Sequence, residues 1–378
     1  MGAGAWLGLL LTPWMPWSTR ENLDSNSNSD SWKSVDLSDV TVLMPARNEE
    51  ETIETTLNAL KAQGGNLKVV LVNDQSTDKT SQRAKAASHP YLEIVEGTAL
   101  PSGWAGKLWA LEQGRRHVKT PYVLLLDADI QAQPGIVAAL KLKAEEGSYS
   151  FVSLMAHLQM QTFWEKLLIP AFIYFFKLLY PFSLSNSPRS SVAAAAGGCI
   201  LLKREALEKI GGFAALHGAL IDDCTLAKKI KGAGFTLWTG LTHSVTSHRE
   251  YSTLSSLWMM VARSAFTQLR YSNLLLIGVT VVMLTVFWAP LLGVSSSDSQ
   301  LVRVLSVAGW SAMVLSYLPT LRYYRLSGLW ALSLPLIGTM YLAMTWTSAI
   351  RFWRGKKSEW KGRTYSSEKA PLSDKTAA

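Results

Sequence analysis

An α/β domain on a mostly parallel sheet, followed by C-terminal membrane-spanning helices, is the architecture that this 378-residue chain predicts. Three observations predict it. Short apolar runs alternate with amphipathic stretches from Val40 onward, polar clusters follow those runs, and long uncharged segments crowd the chain after Tyr271.

The runs Val40 to Met44, Leu67 to Asn73, Leu92 to Val95 and Tyr122 to Leu126 read as buried strands. Helical stretches lie between them, near Glu50 to Gln63, Asp78 to Ala87 and Lys107 to Lys119. This alternation implies parallel strands with helices on both faces, and ligands of such sheets bind beyond the strands' carboxyl ends. Ahead of the domain, residues 1–17 are apolar but short, contain Pro13 and Pro16, and lack the charged start of a secretory signal; they form either a marginal anchor or a surface-lying segment. Residues 18–39, rich in Ser, Asn and Asp, read as a solvated linker. The α/β domain then occupies 40–271.

Within it, the apolar stretch Phe163 to Phe182 carries Glu165, Lys166 and Lys177 and is expected to lie in the membrane interface with those charges wet. A single crossing there would place the polar clusters before and after it on opposite sides. The region 272–350 holds Asn273 to Val294, Leu301 to Thr320 and Trp330 to Ile350, uncharged except for Arg303. At about 1.5 Å per residue each spans a hydrocarbon layer of roughly 30 Å. Three full crossings would put the basic tail 351–378 outside, against the positive-inside tendency, so Trp330 to Ile350, with Pro335 and Gly338, is expected to be re-entrant or broken and the tail cytoplasmic.

The net charge of +9 is concentrated beside the apolar segments, at Arg322, Arg325, Arg351, Arg354, Lys356, Lys357, Lys361 and Arg363. No aromatic platform or nucleic-acid motif accompanies it, so anionic lipid is the expected partner and nucleic acid is not. Two cysteines, Cys199 and Cys224, are too few for a disulfide framework and fit a reducing compartment.

Three polar clusters follow the strands: Pro45-Ala-Arg47-Asn-Glu49, Asn73-Asp74-Gln-Ser-Thr-Asp78 and Asp127-Ala-Asp129. Asp127 and Asp129, two apart, leave a strand end on one face and offer hard oxygen ligands for Mg²⁺ or Mn²⁺ bridging a diphosphate; a solvated loop or helix cap is the bland alternative. Asp78 suits capping of the helix that follows, whereas Asp74, nearer the strand end, is the candidate for contacting a nucleoside. His243 and His248 each offer a further metal ligand, of which His243 is favoured here, although a lone His on a short strand is more often structural. Cys224 beside Asp223 reads as packing.

Together with Gly106-Lys107, Ala110-Leu111, Gly114 and Ile221-Asp222-Asp223, these clusters in this order resemble the inverting family 2 glycosyltransferases of the GT-A fold over roughly Val40 to Tyr271. Trp104-Ala-Gly-Lys-Leu-Trp-Ala-Leu, Ala193 to Cys199, Leu220-Ile-Asp-Asp-Cys and Trp360-Lys-Gly-Arg-Thr-Tyr365 further resemble the hopene-associated glycosyltransferase subgroup, akin to ceramide glucosyltransferases. The resemblance implies that Pro45, Arg47, Glu49, Asp74, Lys107 and Asp127 bind the nucleotide-sugar and that Asp127 and Asp129 hold metal and diphosphate. It implies Asp223 as catalytic base, with Asp222 beside it. Gln268-Leu-Arg270-Tyr271 only approximates the Gln-x-x-Arg-Trp motif of processive synthases, which argues against polymerisation.

The expected activity is transfer of one sugar, from a UDP-sugar or another nucleotide-sugar, to a membrane lipid hydroxyl at a multi-pass inner (plasma) membrane with the catalytic domain cytoplasmic. The alternatives are a polyprenyl-phosphate glycosyltransferase and a non-catalytic nucleotide-sugar-binding membrane scaffold. Decayed carboxylates would mark the scaffold, and Asp127, Asp129 and Asp223 all stand.

Overall fold

Strands in the first half of the chain are apolar on both faces because helices cover both. In the computed structural model, which describes residues 2–25, 30–219, 222–296, 298–355, 358–360 and 363–365, the strands β1 (Val40–Ala46), β2 (Lys68–Asn73), β3 (Leu92–Glu96) and β4 (Tyr122–Leu126) fall where the apolar runs place them. Val69 and Leu71 point into one core with Val42, Met44 and Leu124, while Val70 and Val72 point into the opposite one with Leu43, Val123 and Leu125.

The remaining strands are β5 (Ile130–Ala132), β6 (Phe151–His157), β7 (Cys199–Lys203) and β8 (Leu237–Ser247). The eight form one sheet in the order β3-β2-β1-β4-β7-β6-β8-β5. The pairs β1–β2, β1–β4, β2–β3 and β6–β8 are parallel, and β4–β7, β6–β7 and β5–β8 antiparallel. The sheet is thus mostly parallel, and β7, running against β4 and β6, brings its preceding loop back to the carboxyl end of β4.

Helix α1 (Gly2–Leu11) precedes the sheet. One face of the sheet carries α2 (Ile53–Lys61), α3 (Thr80–Ala86) and, after α4 (Gly106–Arg115), α5 (Ile136–Glu146). Beyond β6 come α6 (Phe163–Leu179), α7 (Phe182–Asn186), α8 (Arg204–Lys209) and α9 (Asp222–Gly232); α4, α8 and α9 cover the other face. Helix α4 packs so closely that a Cβ on Gly114 would overlap Leu43 and Val72.

After β8 follow α10 (Leu254–Ala262), α11 (Ala265–Gln268), α12 (Asn273–Ser296), α13 (Gln300–Tyr323) and α14 (Leu334–Trp353). Three segments, Asn273–Ser295, Gln300–Tyr323 and Gly328–Trp353, are long and apolar enough to cross a membrane. A short hairpin of β9 (Ser358–Trp360) and β10 (Arg363–Tyr365) lies in the tail. Residues 366–378, with Lys356, Lys357 and Lys361 of the basic cluster and Leu220 and Ile221 of the motif before α9, fall outside the described residues.

Several local expectations are corrected. Helix α14 is continuous: Pro335 stands in its first turn, where a missing N–H breaks no helical bond, and Gly338 seats the ring of Phe287. In α6, Glu165 and Lys177 are not wet but 2% and 1% exposed, because α6 packs among α10, α13 and α14 in a third core. The 18–39 segment, largely solvent-facing where described, is also anchored to β8: the Leu23 N–H donates to the Leu241 carbonyl, and Asp24 Oδ1 accepts from the Thr242 hydroxyl and the Ser244 N–H. Helix α1, ten residues long, is too short to cross alone and packs on α12 and α13, where Trp6 is buried.

Candidate active site

The carboxyl ends of β1 and β4, the first turns of α4 and α9 and the loop before β7 meet at one point. Pro45, Lys107, Asp127, Gly197, Asp222 and Asp223 line a narrow pocket there. Its internal volume of about 20 Å³ is room for a water, so a ligand engages its rim. Thr56 on α2 donates its hydroxyl to the Ala128 carbonyl at 2.8 Å, which fixes the Asp127-Ala-Asp129 turn.

Lys107 Nζ lies 2.6 Å from Asp127 Oδ1. Burial opposes the lysine's charge, but Asp127, Asp222 and Asp223 outweigh it and hold the ammonium above its ordinary range. Burial and the neighbouring Asp129 push the Asp127 carboxyl up, against the pull of Lys107. Asp223 is gripped by two amides: Gly197 N–H donates to Oδ2 at 2.9 Å and Cys224 N–H to Oδ1 at 2.7 Å. Burial and the charge of Asp222 nevertheless raise its carboxyl to about 6. Cys224 is buried, its thiol facing the Ala195 carbonyl, and burial raises it far from the thiolate range.

Beside the pocket opens a cleft of about 600 Å³, a size suited to a small ligand. Residues of the loops after β1 and β2, Glu49, Glu50, Thr52 and Asp78 among them, line it together with Asp129 and with Gln159, His248, Arg249 and Glu250 of the loops after β6 and β8. Asp78 accepts from the Thr80 N–H at the start of α3 and from the Glu50 N–H, so it both caps and latches two loops. Asp74 is wholly buried at the end of β2, and Arg47 Nη1 donates to its carbonyl at 2.6 Å.

Of the sequence-derived candidates, Pro45, Lys107, Asp127, Asp222 and Asp223 therefore share the pocket, and Glu49 and Asp129 share the adjoining cleft. His243 does not join them. Its Nδ1 faces Asp24 Oδ2 at 3.2 Å, its Nε2 faces the Tyr323 carbonyl at 3.0 Å, and its ring stacks on Tyr323. Both nitrogens face oxygen atoms outside the pocket and the cleft. His248 is the histidine at the cleft: its backbone N–H donates to the Asp129 carbonyl at 2.8 Å, and its ring Nε2 is buried without a hydrogen-bond partner.

Among the described residues no three His, Cys, Asp or Glu side chains are already gathered as a metal-ligand set. The donors that suit a hard divalent ion are nonetheless adjacent: Asp127 at the pocket, Asp129 and the orphaned His248 Nε2 at the cleft. The Gly197 and Cys224 amides and Thr56 escaped the sequence reading, since a backbone clamp and a hydroxyl reaching a distant carbonyl leave no spacing signature.

Residues 41–211 match the family described as Glycosyl transferase family 2, which marks the matched segment as a glycosyltransferase-like enzyme domain. Over 116 residues it is 31% identical to 4,4'-diaponeurosporenoate glycosyltransferase of Staphylococcus aureus (strain USA300), a match that covers 29% of this chain and only 30% of the relative's length. The fold resembles that of the mannosyltransferase PcManGT from Pyrobaculum calidifontis, solved in complex with GDP-Man and Mn²⁺, at a TM-score of 0.53 and 21% identity over 93% of this chain and 96% of that one. The fold is GT-A-like.

Proposed function

We propose that this protein is a membrane-bound inverting glycosyltransferase that moves one sugar from a nucleotide-sugar, with UDP-sugars the first donors to test, to the hydroxyl of a membrane lipid. One observation carries the reading: Asp223, a carboxyl raised to about 6, is clamped by two amides in the pocket that also holds Lys107 and Asp127, next to a cleft large enough for a nucleotide. The apolar helices beneath the domain bring an acceptor within lipid reach. The relative named for 4,4'-diaponeurosporenoate supports an apolar acceptor, and the subgroup resemblance directs the search to hopanoids and other glycolipid precursors. The catalytic domain then faces the cytoplasm from a multi-pass inner membrane site.

Asp223 takes the proton of the acceptor hydroxyl as its oxygen bonds to the anomeric carbon and the bond from that carbon to the diphosphate oxygen breaks on the opposite face. The Gly197 and Cys224 amides aim the carboxylate, Asp222 raises its basicity and positions the acceptor, and Lys107 takes up negative charge on the leaving nucleoside diphosphate. A Mg²⁺ or Mn²⁺ ion held by Asp127, Asp129 and His248 would supply Lewis-acid stabilisation of that diphosphate.

Replacing Asp223 with Asn keeps shape and removes the proton acceptor. Nucleotide-sugar affinity should hold while transfer to a lipid hydroxyl falls by roughly two to four orders of magnitude. Wild-type turnover by this variant on a hydroxyl acceptor refutes the assignment, and retained turnover on a polyprenyl phosphate alone selects the acceptor that is already anionic.

A further inference from the structure

Glu165 stands three residues into α6 and is 2% exposed, an unusual place for a carboxylate. Its Oε2 accepts the Gln161 N–H at 3.0 Å and the Thr162 N–H at 2.9 Å, and Thr162 returns the bond to the Glu165 N–H, a capping box. A cap needs no more than that. Oε1 also accepts the N–H of Tyr251 at 3.3 Å, far along the chain in the loop that leaves β8. Burial opposes the charge, but these amides outweigh it and keep the group ionised.

The two loops so joined both line the 600 Å³ cleft. Gln159 lies just before Thr162, and His248, Arg249 and Glu250 just before Tyr251. The guanidinium of Arg249 lies over the Tyr251 ring, 5.6 Å from its centroid, so the place of Tyr251 fixes that of Arg249. One turn further along α6, the Leu168 carbonyl accepts the Tyr341 hydroxyl of α14 at 2.8 Å. A single helix thus touches the membrane-side layer and holds the cleft lining.

From this geometry we infer that Glu165 is a positioning residue for donor binding: it joins the 158–162 and 248–251 loops and sets the cleft lining that faces the nucleotide diphosphate. The inference rests on the reading of the cleft as the donor site. It is distinct from helix capping, and two variants of the full-length chain in lipid nanodiscs separate them. Glu165→Gln disturbs the bond to Tyr251, whereas Thr162→Ala weakens the cap and leaves that bond intact.

Hydrogen exchange across residues 249–252 and binding of UDP and GDP with Mn²⁺ are the readouts. Glu165→Gln should speed exchange and weaken nucleotide binding by about tenfold or more, the scale of one charge-assisted hydrogen bond, while Thr162→Ala leaves both at wild-type values. Wild-type behaviour of Glu165→Gln, or the same losses in Thr162→Ala, overturns the inference. If Glu165→Gln does not fold, Tyr251→Pro deletes the amide from the other side and Tyr251→Phe keeps it; only the former should weaken binding, and equal effects overturn the inference. A wild-type protein that binds neither nucleotide refutes the donor-site reading, and unaltered exchange at 249–252 in Glu165→Gln refutes the loop link independently.

Discussion

Asp223 is held ready by two amides yet pushed toward neutrality by burial and Asp222, and the balance has a sign that can be measured. A base must be ionised to accept a proton, so the transfer rate should climb about tenfold per pH unit up to about 6 and level off above it. A rate that is flat from pH 4 to 8 contradicts the role. Folding sees the same group in the opposite sense. Its raised carboxyl favours the neutral form, so its stabilising contribution is whole below the ordinary value of 3.8 and lost as pH passes about 6. The metal reading is tested at Asp129: Asp129→Ala should abolish Mn²⁺-dependent nucleotide binding with little change in melting temperature, and excess chelator should do the same to wild type. Binding that survives both sinks it. Asp127 and Asp129 can be singled out because they follow an apolar run, whereas Asp223 opens a helix, where a carboxylate commonly caps, and is singled out by its motif. The surroundings of His243 could not be read from the sequence, since an imidazole on a strand carries no mark of its partners: only the fold brings Asp24 and Tyr323 to its two nitrogens and puts His248 at the cleft.

At the scale of elements, β1, β2 and β4 were readable from continuous Val and Leu runs, since helices bury both of their faces. The reversal at β7 was not, because Cys199–Lys203 is as apolar as a parallel strand and nothing local encodes direction. The segment at Asn22 and Asp24 is exposed, as its composition suggests, yet Asp24 also accepts the backbone N–H groups of His243 and Ser244 on β8, a tie that composition does not encode. In α6 the charges suggested water, but Glu165 found amides instead. Lys177 Nζ is buried without a hydrogen-bond partner, and burial lowers its ammonium to about 7 against the pull of Glu21. Amphipathic pattern recognises an interfacial helix, whereas it cannot tell a face turned to lipid from one covered by α13 and α14.

For the molecule as a whole, three helices of spanning length, counted as three crossings, would leave Arg351 and Arg354 across the membrane from the catalytic domain. The contacts of α14 with the catalytic domain motivate a proposal of two crossings. Its Tyr341 bonds α6, its Thr347 accepts from Trp258 of α10, its Ser348 accepts the N–H of Phe266 in α11, and Phe352 stacks on Tyr271. Helix α14 thus touches α6, α10 and α11 as well as α12, whose Thr280 and Trp288 bond its Trp346 and Thr339. The chain enters this stretch at the same side, where the Tyr323 carbonyl meets His243 and Tyr324 lies against His157. By contrast, the turn between α12 and α13 lies at the far end of a hairpin whose outer face is apolar and exposed, at Leu292, Leu301 and Val304 among others. Were α12 and α13 the crossings, with α14 lying against the domain, the basic tail would return to the domain's side, as the positive-inside tendency favours. Single cysteines test this against a background in which Cys199 and Cys224 are buried. Ser148→Cys in the catalytic domain and Ser367→Cys in the tail should react with an impermeant maleimide from one side, and Asp298→Cys from the other. Labelling of Ser367→Cys together with Asp298→Cys would establish three crossings and return α14 to the bilayer core.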